Sequence, residues 1–430
     1  MPVTTKDAND HTAPPSATHR HRHRHLFVRD AVAVAGVAVT VATSTAADGG
    51  AGWRLLRAAA LLACTAGASE LADRSSGRRV AAVAAPVGTI AIVVGVGIGI
   101  PHLMKVGPTL AAVAGAIALV TGLALVVTGG AIALGGARWW QQVAAIPSGV
   151  VVLAVTVGIA APALLATNVA PTALGDETPA ERDVEFESVT VGTADGVRLA
   201  GWYVPSRHGA AVVVRHGAGS TRSNVLDHIA VLADAGYGVL ALDARGHGES
   251  DGRAMDFGWY GDLDIAAAVD FLAAQPGIDP EHIGVVGLSM GGEEALGAAA
   301  SNARIHAVVA EGATARTDED KQWLSEVYGA RGWFQERLEW VQYTLTDALT
   351  DAERPTPLRD GVASGTPTFV IAAGAVADEV HVARVLHAAA PETVETWTVE
   401  GAGHTDGLDV ARDEWTRRVV AFLDRALRGA

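Results

Sequence analysis

Along the first 170 residues apolar positions do not alternate with polar ones but run together. Val80–Met104, Val106–Ala137 and Trp139–Gly175 contain no Asp, Glu, Lys or Arg, and as helices each is long enough to cross about 30 Å of hydrocarbon. Two weaker segments, Ala31–Ala47 and Leu55–Ser69, precede them, and either could be a further span or a buried or interfacial helix. Gly95, Gly97, Gly99, Gly115, Gly122, Gly129 and Gly130 fall inside the runs. They would weaken a soluble helix but let helices approach closely in lipid. Trp139 and Trp140 beside Arg138 suit a membrane interface. The expected architecture over 26–170 is therefore an all-α transmembrane bundle of about five helices, at least three, in contact with a lipid bilayer. Residues 1–25 end in alternating His and Arg from His19 to His25. They read as a disordered tail meeting anionic headgroups, with metal binding as the other reading.

From Asp183 the period changes. Short β-type runs are expected at Glu185–Val191, Val197–Val204, Ala211–Arg215, Gly238–Asp243, Ile283–Leu288, Ala307–Ala310, Thr368–Ala372 and Thr393–Val399. Helical patterns lie between them near Asn224–Ala235, Tyr260–Ala274, Met290–Ser301, Glu379–Ala389 and Val410–Leu427. Continuous apolar strands alternating with helices imply an α/β domain over 183–430 whose mainly parallel sheet is covered on both faces. Ala313–Thr366 is too long for an ordinary connection, so an insertion is expected at 313–366. It holds Trp323, Tyr328, Trp333, Phe334, Trp340 and Tyr343. Two readings are open for it: an aromatic lid over an acyl pocket, or a helical subdomain using those rings as its own core.

Charge separates the two parts. Residues 1–170 carry 12 Lys and Arg against 6 Asp and Glu, a balance of +6, which leaves −21 for residues 171–430 of the overall −15. An acidic domain disfavours nucleic acid as a partner, because phosphate binding needs basic surface. The single cysteine, Cys64, permits no intramolecular disulfide. No metal-ligand spacing, Walker loop or dinucleotide fingerprint occurs, so neither metal nor cofactor is expected.

Candidate chemistry begins at Gly287-Leu288-Ser289-Met290-Gly291. A strand running into this string and a helix leaving it is the context of a nucleophile elbow, a turn too tight for bulky neighbours. Its hydroxyl needs a base. His404, in a glycine-rich loop after the last strand, is the candidate, whereas His216 reads as a structural turn histidine. A carboxylate must orient the imidazole. Asp378, after the strand Thr368–Ala372, gives the order Ser, Asp, His, with Glu379 and Glu311 as alternative acids. Asp243 and Arg245–Gly248 are expected to brace a strand end, and Glu293 and Glu294 to face the helix dipole.

Taken in order, "DGVRLAGWYVPS", "RHGAGS", "LDARGHGESDG", "GLSMGG", a late Asp and "GAGH" resemble the serine hydrolases of the α/β-hydrolase superfamily, near its esterases, acyl-peptidases and serine aminopeptidases. The resemblance implies a cofactor-free Ser-His-Asp hydrolase, passing through an acyl-enzyme and cleaving an ester, thioester or amide of a small-molecule or peptide acyl substrate. It also implies an oxyanion hole built from the backbone N–H groups of Ala218 and Met290. A second class stays open, a non-catalytic ligand-binding domain on a membrane transport or sensing module. Five crossings with Lys6, Arg20, Arg22, Arg24, Arg29, Arg74, Arg78, Arg79 and Arg138 on the cytoplasmic side would put the hydrolase outside the cytoplasmic membrane.

Overall fold

The structure is a computed structural model that describes residues 17–46, 51–75 and 77–429. Its N-terminal part is built from α1 (Ala17–Ala46), α2 (Ala51–Arg74), α3 (Arg78–Val94), α4 (Ile100–Val106), α5 (Leu110–Leu134) and α6 (Trp139–Thr167). A π-helical turn at Gly95–Gly99 joins α3 to α4 in one continuous rod. Within these lie five helices long and apolar enough to cross a membrane: Leu26–Ala46, Arg54–Arg74, Arg78–Val106, Leu110–Leu134 and Trp139–Thr167. Both weaker sequence segments are thus full-length helices.

Two expectations change here. α1 begins at Ala17, inside the tail expected to be disordered, while residues 1–16 of that tail lie outside the described residues. α6 ends at Thr167 rather than at Gly175, because Asn168 leaves helical geometry (φ −134, ψ 57) and Pro171 follows, which biases the residue before it away from the helix. In the bundle α5 packs on α1 and α3. At Gly99 and Gly115 the backbones of the α3–α4 rod and α5 nearly touch: a Cβ on Gly115 would lie 2.3 Å from the Gly99 Cα. Only glycine permits that approach.

The second part is an eight-stranded sheet of β1 (Glu187–Gly192), β2 (Arg198–Val204), β3 (Ala211–Arg215), β4 (Gly238–Leu242), β5 (Ile283–Leu288), β6 (Ala307–Glu311), β7 (Thr368–Ala373) and β8 (Val394–Val399). Its order is β1-β2-β4-β3-β5-β6-β7-β8, antiparallel around β2 and parallel from β4 onward. α7 (Leu226–Asp234), α8 (Gly261–Ala273) and α9 (Met290–Ser301) connect the central strands, and α10 (Leu324–Tyr328), α11 (Ala330–Leu349) and α12 (Leu358–Val362) form the long insertion. α13 (Ala377–Ala389), α14 (Gly407–Val410) and α15 (Arg412–Leu423) complete the chain. Because successive strand residues point to opposite faces, Val213, Val285 and Val308 enter one core with residues of α8, α9 and α13. Val212, Val214, Val286 and Val309 enter the other with residues of α7 and α15. Both faces being covered explains why β3, β5 and β6 read as unbroken apolar runs. The sheet thereby carries the ends of β3, β5, β6 and β7 to one edge, where the loops that matter begin.

Candidate active site

β5 delivers Ser289 into a turn with φ 53 and ψ −120, after which α9 starts at Met290. A side chain dislikes this conformation, and it persists because its neighbours leave no alternative. A Cβ on Gly287 would lie 2.1 Å from the Gly291 carbonyl oxygen, and one on Gly217 would lie 3.1 Å from the Ser289 Cβ. Glycine at these positions lets strand, helix and the β3 loop converge on one hydroxyl. The Ser289 N–H donates to the Glu311 carbonyl at 2.7 Å, which ties the elbow to the end of β6.

His404 stands 2.8 Å from the Ser289 Oγ through its Nε2. Its Nδ1 lies 2.6 Å from Glu379 Oε1. Glu379, not Asp378, is therefore the carboxylate that meets the imidazole. α13 begins at Ala377, so consecutive side chains diverge by about 100° around its axis. Asp378 is left half-exposed while Glu379 turns inward and is buried. The second carboxylate oxygen, Oε2, accepts the Ala373 N–H at 2.8 Å, so both ends of the group are fixed. Glu379 raises the His404 pKa above its ordinary value through that hydrogen bond first, and through its charge, against the opposing effect of partial burial.

Glu311 is committed elsewhere. It accepts from the Gly407 N–H and the Trp415 Nε1–H, both at 2.8 Å, and so holds the loop that follows His404. Burial pushes its carboxyl upward. His216 accepts the Ala244 N–H at 2.9 Å through Nε2 and donates from Nδ1 to the Gly217 carbonyl at 2.8 Å. Burial among cations keeps this ring neutral, so its place is in the framework of the β3 loop. Ala218 in that loop lines the cavity at Ser289. Among the described residues the N–H groups of Ala218 and Met290 donate to no other loop or turn carbonyl.

Asp243 accepts the N–H groups of Arg222 and Glu249 at 2.8 and 3.0 Å and pairs with the Arg222 guanidinium. Arg245 bridges Asp195 and Asp264. Glu293 does stand in the first turn of α9, and both it and Glu294 are buried with further partners. Glu293 holds the N–H groups of Thr314 and Ala315, each at 2.9 Å, and Glu294 lies 2.7 Å from the fully buried Arg215.

The cavity at Ser289 and His404 has a volume of about 360 Å³ and takes polar walls from Arg182, Ser223, Asn224, Asp227, Asp406 and Asp409. None of its lining comes from the insertion, so neither the lid nor an aromatic acyl pocket is realised there. Nor do the rings form one internal core. Trp323 and Tyr343 are buried, whereas Trp333, Phe334 and Trp340 face outward. Sequence reasoning did not single out these six polar wall residues, since they come from three separate segments of the chain and no local pattern joins them.

Residues 206–361 match the family described as serine aminopeptidase, S33. With that strand order and a serine on a strained strand-to-helix turn, the assignment follows. The chain carries an α/β-hydrolase domain. An uncharacterised protein of Mycobacterium tuberculosis is 38% identical to the chain over 124 residues, which cover 28% of this chain and 42% of that one. A thiohydrolase of Aspergillus aculeatus is 36% identical over 129 residues, 29% of this chain and 40% of that one. The chain thus spans under half the length of these curated relatives. An esterase of Pyrococcus furiosus is a solved structure with 27% identity and a TM-score of 0.48 over 60% of this chain and 97% of its own. The α/β-hydrolase domain follows the helical bundle through the extended residues 168–175.

Proposed function

We propose that the protein is a membrane-anchored serine hydrolase whose triad is Ser289, His404 and Glu379, cleaving an ester, thioester or amide. The observation that carries this reading is the unbroken relay from the Ser289 hydroxyl through both ring nitrogens to a buried carboxylate, at 2.8 and 2.6 Å. Such a relay makes a neutral hydroxyl nucleophilic at ordinary pH.

His404 Nε2 takes the proton as Ser289 Oγ attacks the acyl carbon, and Glu379 stabilises the imidazolium that forms. The negative charge passes to the substrate's carbonyl oxygen. The N–H groups of Ala218 and Met290, with the positive end of α9, are the donors assigned to it. Collapse of this intermediate expels the alcohol, thiol or amine, which takes the proton back from His404. Water activated by the same imidazole then releases the acid and restores the serine. The bundle anchors the domain through its five apolar helices, and the excess of arginines at the far ends of α1, α2, α3 and α6 favours a hydrolase outside the cytoplasmic membrane.

The test is covalent labelling with a fluorophosphonate. Wild-type protein is expected to be labelled on Ser289, and Ser289→Ala is expected to lose both the label and esterase turnover while keeping its fold, since one oxygen leaves an open turn. Labelling of the alanine variant at another serine, with esterase activity intact, would remove Ser289 from the mechanism.

A further inference from the structure

The insertion helix α11 has two different faces. Tyr343 is buried, lies against Phe257 with ring centroids 5.1 Å apart and stacks on Trp259 at 6.5 Å. Thr346, one turn further on, is buried as well. The other side presents Trp333 at 54%, Phe334 at 51%, Trp340 at 53% and Val341 at 40% exposure. At spacings of one, seven and eight residues from Trp333, these fall on one side of the helix. Three large aromatic groups left in water on a single helix is an arrangement a monomeric soluble surface avoids.

The neighbour of α11 says what covers that face. α11 packs on α6, one of the five helices long and apolar enough to span a membrane. Arg253 clamps the two together: its guanidinium lies 2.7 Å from the Thr167 carbonyl at the end of α6 and 2.9 Å from the Leu349 carbonyl at the end of α11. α6 is itself open to its surroundings at Val150, Val151 and Val152 and again at Leu165, beside the end that Arg253 joins to α11, so lipid coating α6 would extend toward α11. The charges on the aromatic side also suit a headgroup layer. Arg337, which falls within that face, lies over the Trp333 ring at 5.6 Å. Tryptophan and arginine in company are what the boundary between headgroups and acyl chains selects.

We propose that α11 is a bilayer-seated helix, with Trp333, Phe334, Trp340 and Val341 lying in the interface of the leaflet that α6 leaves at Thr167. The occupant is lipid, neither substrate nor a second copy of the chain. It follows that the insertion fixes the orientation of the hydrolase domain on the membrane. This inference rests on the membrane-anchored reading above.

The experiment keeps the two apart. In full-length protein carrying Cys64→Ser, single cysteines are introduced at Trp333, Phe334 or Trp340. Val151→Cys serves as the reference for the spans and Glu395→Cys for the aqueous surface. Each is labelled with an environment-sensitive nitrobenzoxadiazole and reconstituted in phosphatidylcholine nanodiscs with or without acyl-chain bromine. The expected result is loss of fluorescence to brominated lipid at 333, 334 and 340 comparable with that at 151, and none at 395. Quenching at 151 without quenching at the α11 positions would overturn the proposal and leave the spans standing. A blue-shifted but unquenched α11 label would mean protein covers the face, a second copy or another chain, and overturns it equally. No quenching at 151 would remove the membrane reading and this inference with it.

Discussion

Replacing Glu379 by glutamine isolates the carboxylate's role. The side chain keeps its size, yet it now offers a single acceptor oxygen where two donors need one, the Ala373 N–H at 2.8 Å and the His404 Nδ1–H at 2.6 Å. One donor goes unmet, or the imidazole adopts the wrong tautomer with no free Nε2 to receive the serine proton. Loss of an equivalent carboxylate elsewhere costs roughly 10⁴-fold in turnover, which is about 5 kcal/mol of barrier. Glu379→Asp keeps the charge but withdraws it by about 1.5 Å, enough to open both contacts. Asp378→Asn removes a half-exposed group that makes no contact with the ring, and should alter the rate by no more than about twofold. The pH profile adds a second readout. His404 acts as a base only when neutral, and its raised pKa moves the acid limb of kcat/KM to higher pH than an ordinary histidine would give. Because Glu379 is the main cause of that rise, the limb in Glu379→Gln should move to lower pH while its plateau falls. Steady-state hydrolysis of a p-nitrophenyl ester across pH 5 to 9 on all three variants reads both effects. Near-native turnover in Glu379→Gln together with collapse in Asp378→Asn would refute the assignment.

Two further outcomes are expected. His228 is buried in the hydrolase domain against Trp415, 5.1 Å between ring centroids, and burial lowers its pKa to about 4. A depressed histidine pKa means the unfolded chain binds the proton more tightly, so stability is full above 6.5 and declines as pH falls toward 4, by up to roughly 3 kcal/mol. His228→Phe should flatten that decline in thermal unfolding between pH 7 and 4, and an unchanged slope would assign it to other groups. Alkaline phosphatase fused after Gly175 should be active and a green fluorescent protein fused there dark, whereas the reverse pattern would put the hydrolase in the cytoplasm.

How far the sequence carried the architecture depended on the range of the determining contacts. Strands β3 and β5 begin and end as their apolar runs do, because a buried parallel strand writes its limits in consecutive residues. Ser289 and His404 were legible for a similar reason, each sitting in a local glycine-bearing string next to a strand. The acid was not, since Asp378 and Glu379 are adjacent and the choice depends on where α13 starts. Val376, which precedes that start, offers no side-chain cap to mark it. The partners of Glu293 and Glu294 were not legible because Thr314 and Arg215 are 21 and 79 residues away. The insertion resisted for another cause. Trp333, Phe334 and Trp340 satisfy neither an internal core nor a pocket, and a pattern of rings says nothing about α6 as their neighbour.

The loops that build the site are also those that receive the helical bundle. Thr172, five residues past the end of α6, pairs with His247 as a parallel bridge and accepts the Gly248 N–H at 2.9 Å. The His247 ring lies 5.4 Å from that of His216, and His216 in turn holds the Gly217 carbonyl from beside Ser289. The Lys105 ammonium, near the end of α4, comes within 3.4 Å of where a Cβ on Gly219 in the β3 loop would stand. The β3 loop, which carries the Ala218 N–H, is thus approached from the bundle side by Lys105 and, through the His247 and His216 rings, by the segment after α6. A domain tethered by a flexible linker would have no such contacts. Here the segment after α6 bonds to the loop after β4, and Lys105 in α4 lies beside the β3 loop, so the loops next to Ser289 stand between the apolar helices and the sheet.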